Sequence, residues 1–98
     1  MKKYLVCFKK VYNHRKGETQ WKVDFNEVFT EVGNGEYRTP VNNHTITDKA
    51  IRHILEVGNG RYAYRFVTEN EWAEIEETVN NDKYNYNINV DDYEAYAM

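Results

Sequence analysis

Tyr4–Phe25 reads YLVCFKKVYNHRKGETQWKVDF. Through Tyr12 the stretch is β-branched and aromatic enough for a strand, and Asn13 to Glu18 is a polar turn around Gly17. Thr19 to Phe25 then alternates, with Trp21, Val23 and Phe25 on one side of a second strand. Two strands joined by so short a turn run antiparallel. This hairpin predicts an α+β fold opening on a mostly antiparallel sheet.

Beyond Phe25 the period changes. Phe25, Val28, Phe29 and Val32 fall at i, i+3, i+4 and i+7, Asp24 and Glu27 are spaced as a capping box, and Gly33 stands where a helix would end. Residues 25–32 read as a short helix, with continuation of the strand through Thr30 as the alternative. A clearer helix starts at Thr47, carries Ala50, Ile51, Ile54 and Leu55 on one face and stops before Gly58. Arg61 to Val67 is a strand, with Tyr62, Tyr64 and Phe66 read as its core face and Arg61 and Arg65 as its wet face. Thr68 and Glu71 form a capping box for a helix whose Trp72, Ile75 and Val79 share one side, and Trp72 is expected to be largely buried. Tyr84, Tyr86, Ile88 and Val90 alternate with asparagines as a half-buried strand does. The expectation is a sheet of four to five strands with two to three short helices, forming one domain over residues 1–90, followed by a frayed acidic tail over 91–98.

Two stretches echo one another, Glu31-Val32-Gly33-Asn34-Gly35 and Glu56-Val57-Gly58-Asn59-Gly60. Both read as helix-to-strand connections in which Gly and Asn accept left-handed backbone. Anion-binding loops of the familiar kinds precede a helix instead, so phosphate binding is not inferred here.

A chain of 98 residues supports one core. No apolar run approaches the roughly 20 residues needed to cross a bilayer, and Lys9 and Lys10 interrupt the opening segment, so a cytoplasmic protein with no membrane partner is expected. The single Cys7 lies in an apolar run and reads as a small core residue. His14, His44 and His53 lack metal-ligand spacing, and the chain has no serine. Glu71, Glu74, Glu76 and Glu77 look like the solvated face of a helix. The reading is of a protein that is not an enzyme and uses no metal or cofactor.

Charge supplies the functional expectation. Residues 1–68 hold twelve Lys and Arg against seven Asp and Glu, whereas residues 69–98 hold nine acids against Lys83 alone. Glu74 and Glu77 point away from the apolar side of their helix, and Asp91, Asp92, Tyr93 and Glu94 add charge and an aromatic ring beyond the last strand. Carboxylates displayed this way can take the place of phosphates on a nucleic-acid-binding protein. The first reading is therefore a small inhibitory module binding a bacterial nuclease or other nucleic-acid-handling enzyme, in the manner of a phage-encoded anti-CRISPR or anti-restriction protein acting in the bacterial cytoplasm. The bias toward Asn, Lys, Tyr, Ile and Glu is what an AT-rich phage or mobile-element gene encodes. The alternative is direct binding of RNA or single-stranded DNA by Lys9, Lys10, Arg15, Lys16, Arg61 and Arg65 among neighbouring aromatics.

Overall fold

The opening hairpin forms: β1 (Lys3–Asn13) and β2 (Glu18–Gly33) pair antiparallel in a computed structural model that describes residues 3–40 and 42–96. Asn13 closes the turn. Its carbonyl accepts the Gly17 N–H at 2.8 Å, and its Oδ1 accepts the N–H groups of Arg15 and Lys16 at 3.0 and 3.2 Å.

β2 continues through the segment read as a helix, and a bulge explains the misleading period. Val6 lies opposite Val28 and Phe8 opposite Val23, so residues 24–27 face Cys7 alone. Strand alternation interrupted by this insertion gives Phe25, Val28, Phe29 and Val32 helical spacing without a helix. Phe29 is fully buried while Phe25 and Val32 are exposed. Asp24 does accept a local N–H, from Asn26 at 3.2 Å, but as an Asx turn within the bulge.

With β3 (Glu36–Arg38), β4 (Thr45–Thr47), β5 (Tyr62–Thr68) and β6 (Glu94–Ala95) the sheet has, among the described residues, six strands in the order β4-β3-β2-β1-β5-β6, each neighbouring pair antiparallel. The fold is α+β, with one strand more than the upper expectation. Two helices cross it among the described residues. In α1 (Asp48–Gly58) the Thr47 side chain accepts the Ala50 N–H, and in α2 (Glu69–Asn81) both halves of the Thr68/Glu71 capping box form.

The helices lie on opposite faces. Leu5, Cys7, Phe29, Tyr37, Ile46 and Tyr64 pack with Ile51 of α1, whereas Val6, Phe8, Val23, Ala63 and Val67 pack with Ile75 and Val79 of α2. Leu5 to Phe8, none more than 2% exposed, serve both layers in alternation, which is why that stretch is apolar without a break. Each such aliphatic or aromatic side chain stabilises the fold by about 1.5–3 kcal/mol relative to leaving it in water. The expected wet face of β5 is correspondingly a buried one: Ala63 and Val67 lie under α2, and the Arg65 side chain is only 18% exposed. Trp72 is half-buried, beside Tyr4 and Phe25, rather than enclosed.

Residues 84–90 are not a strand. They run along the edge of the first half of β2, where side chains replace the ladder. Trp21 N–H donates to Asn87 Oδ1 at 2.8 Å and Val23 N–H to the Tyr86 hydroxyl at 3.0 Å, and the single backbone bond is Ile88 N–H to Trp21 O at 3.1 Å. The alternation survives as burial at Tyr86, Ile88 and Val90, while Tyr84 stands 84% exposed.

The acidic end is docked as far as Tyr96, which corrects the frayed tail. Val90–Asp92 form one 3-10 turn capped by Asn89, β6 pairs with β5, and the Tyr96 hydroxyl donates to Asp48 Oδ1. Residues 97 and 98 lie outside the described part. The two Gly-Asn-Gly segments also differ. The first joins β2 to β3 through positive φ at Asn34 and Gly35, the conformation of a tight hairpin, and only the second ends a helix, with Asn59 as the left-handed cap.

Candidate functional site

The sequence places a carboxylate at five positions of α2, and the helix distributes them. Glu71 reaches back to cap the helix, its Oε1 accepting the Thr68 N–H at 2.9 Å. Glu74, Glu77, Asp91, Asp92 and Glu94 are all exposed as expected, the Asp91 side chain by 89%. Tyr93 joins the two groups. Its ring stacks on the buried Phe8 with centroids 6.4 Å apart and planes 12° from parallel. Burial raises the affinity of its phenol for the proton, and the charges of Glu71, Asp92 and Glu74 add to that in the same direction. Tyr93 is thus a half-buried post between α2 and the 90–92 turn rather than a free contact residue, and Glu71 is the member of the group that capping had hidden.

The turn is held by three side-chain hydrogen bonds. Asn89 Oδ1 accepts the Asp91 N–H at 3.3 Å, Asn89 Nδ2 donates to Asp92 Oδ1 at 3.2 Å, and Arg65 Nε donates to the Val90 carbonyl at 2.9 Å. Glu94 lies apart, paired at 3.0 Å with Lys3 of β1 across the intervening β5. Such an exposed pair contributes little to stability.

The basic candidates do not form one patch. Arg65 donates to Val90 O and Tyr64 O, and Arg61 Nε donates to Gly58 O at 3.0 Å. Lys10 lies 5.2 Å from the centroid of Trp21, and Lys16 is 3.8 Å from Glu18. Lys9 is exposed on β1, opposite Lys22. At the hairpin end, Tyr12, His14, Arg15, Lys22, Tyr84 and three amide side chains line a concavity of about 600 Å³. His14 meets the Tyr12 ring edge-on at 4.8 Å. The amides are already partnered, Asn13 Nδ2 donating to Gln20 Oε1 and Asn85 Oδ1. Lys22 Nζ donates to the carbonyls of Tyr84 and Tyr86.

A second cleft, of about 340 Å³, lies where the β2 bulge meets the end of α1 and holds Cys7, Asp24, Glu27, Arg61 and Tyr64. Burial pushes the Cys7 thiol up to about 12, so it stays protonated. Burial also raises Glu27, against the pull of His44, whose Nε2 lies 3.4 Å from the otherwise unpartnered Glu27 Oε2. A protonated thiol beside carboxylates is not an activated nucleophile. No group of three or more His, Cys, Asp or Glu among the described residues could hold a metal ion, and no helix among them is long and apolar enough to cross a membrane.

Comparison with protein-family models, with curated proteins and with solved structures finds no match to this chain.

Proposed function

We propose that this protein is a non-enzymatic binding module that occupies the nucleic-acid site of a basic partner protein through the carboxylate face of α2 and the 90–92 turn. The observation that carries this reading is the exposure of Glu74 and Glu77 on α2 and of Asp91 and Asp92 on the 90–92 turn, with Tyr93 next to that turn seated on Phe8 in the layer that α2 covers. Carboxylates held on a capped helix and a hydrogen-bonded turn offer a fixed pattern of negative charge, which steers a cationic partner and costs little ordering on binding. An inhibitor of a bacterial nuclease, phage-encoded and of the anti-CRISPR or anti-restriction type, is the concrete form, and the segregation of acids into residues 69–98 supports it. Competition tests it. Capture from a bacterial lysate identifies the partner, and saturating that partner with its cognate nucleic acid is expected to block binding; simultaneous binding at full affinity refutes the mimicry.

A second reading, direct binding of single-stranded nucleic acid, draws on the hairpin end. Tyr84 is 84% exposed beside Tyr12, His14 and Arg15, a combination of rings and cations suited to stacked bases. It predicts salt-dependent binding of single strands that weakens when Lys9, Lys10 and Lys16 become Gln. Absence of binding at low salt removes it.

A further inference from the structure

We infer that the cleft framed by Trp72, Phe25 and Tyr4 is a socket for an arginine side chain of the partner protein, an inference that rests on reading α2 as a protein-binding surface. The cleft encloses about 330 Å³, with Val28 and Pro40 completing its apolar wall and Asn26, Thr39 and Asn42 supplying polar atoms. The Trp72 ring is the shared element, 6.2 Å from Tyr4 and 6.0 Å from Phe25 by centroid, the latter edge-on.

Two features make the cleft a built one. The β2 bulge holds Phe25 out of the core, leaving it 53% exposed while still against Trp72. Opposite, Thr39 Oγ1 donates to Asn42 Oδ1 and also accepts the His44 N–H at 3.1 Å, which ties Thr39, Asn42 and His44 to one another.

Charge selects the occupant. On a helix, residues three before and four after Trp72 share its side, and these are Glu69 and Glu76, both exposed. Aromatic rings attract a cation, most often a guanidinium, and flanking carboxylates add to that attraction while repelling an anion. A neutral apolar side chain would use the rings and gain nothing from the glutamates. The carboxylates on the other flank of α2, Glu71 and Glu74, belong to the face around Tyr93. The helix would thus meet a basic partner on both flanks, with one side chain inserted beside Trp72.

The test uses the whole chain, isotope-labelled, titrated with N-acetylarginine amide and separately with the neutral isostere N-acetylcitrulline amide. Saturable movement of the Trp72 indole and Asn26 amide signals is expected, with arginine binding about tenfold more tightly than citrulline. Phe25→Leu, at an exposed position, and the double change Glu69→Gln with Glu76→Gln are each expected to weaken arginine binding several-fold in spectra that remain folded. Equal affinity for the two ligands overturns the assignment, as does an unmoved Trp72 signal or undiminished binding by the folded variants. No partner is present in this titration, so its failure leaves the mimicry reading standing, while loss of competition in the partner experiment leaves the socket measurement untouched.

Discussion

The backbone N–H of Val23 donates to the phenolic oxygen of Tyr86 at 3.0 Å, a side chain supplying the acceptor that a further strand would have provided. Tyr86 is 9% exposed, and its ring also lies 4.0 Å from Lys22 Nζ. Tyr86→Phe keeps the ring and leaves the Val23 N–H without its partner, so a loss of about 1–3 kcal/mol in urea unfolding is expected. Tyr84→Ala, at a position 84% exposed, serves as the control and is expected to stay within about 0.5 kcal/mol of the parent.

Alkaline pH is expected to weaken the fold through Cys7. Its thiol ionises near 9.0 when unfolded and near 12 in the folded chain, chiefly because it is buried. The unfolded chain therefore releases its proton first, and the stabilising contribution, complete below 9.0, is lost as pH rises toward 12. Tyr64, raised by burial and by its neighbour Cys7, acts in the same direction. Unfolding midpoints measured across this range are expected to fall less steeply for Cys7→Ala. The native thiol is expected to resist alkylation until the protein unfolds.

Glu27 offers the opposite kind of test. Burial raises its carboxyl above the ordinary 4.5, so the folded chain holds this proton more tightly than the unfolded one. Its favourable contribution is complete below 4.5 and is lost as pH rises through the raised value. Glu27→Gln is expected to raise Tm at neutral pH and to leave it nearly unchanged in acid. A lower Tm at neutral pH would show that the contact with His44 outweighs the desolvation.

Neutralising Glu74, Glu77, Asp91, Asp92 and Glu94 together is expected to leave thermal unfolding almost unchanged, since exposed carboxylates contribute about 0–1 kcal/mol each. Association with the partner should slow, most visibly at low salt. Tyr93→Ala is a different case: removing a ring stacked on Phe8 is expected to lower stability as well as affinity, so it cannot report on binding alone.

Features encoded by neighbours along the chain were legible in the sequence. Thr47 and Thr68 cap their helices, each side chain accepting the backbone N–H three residues on, and Asn13 to Gly17 closes a turn by itself. What escaped depended on residues far apart. Whether Phe25–Val32 is helix or strand was decided by pairing with Leu5 and Val6, which no local period reveals. The double-sided sheet was implicit in the unbroken apolar run Leu5–Phe8, but reading β5 by alternation alone assigned one face to water. For the acidic face, exposure of Glu74, Asp91 and Asp92 followed from the helix period and the polar run. That the 90–92 turn is seated beside the α2 layer depended on Tyr93 docking on Phe8, a contact between residues far apart in the chain that spacing does not encode.

The central position of β1 carries a kinetic consequence. Its two neighbours are β2, which follows through a turn, and β5, whose partner residues lie more than fifty positions further on, as in Lys9 with Tyr62 and Lys3 with Thr68. On a ribosome the first hairpin can close early, yet with both its faces apolar it has no helix to shelter either one until α1 and α2 have been made. Non-local pairing of this kind slows the search for the native state, so refolding in milliseconds to seconds is the regime the topology favours. During that interval the chain is at its most vulnerable to association, because the same residues that fill two layers in the finished protein are then a bare two-sided ribbon.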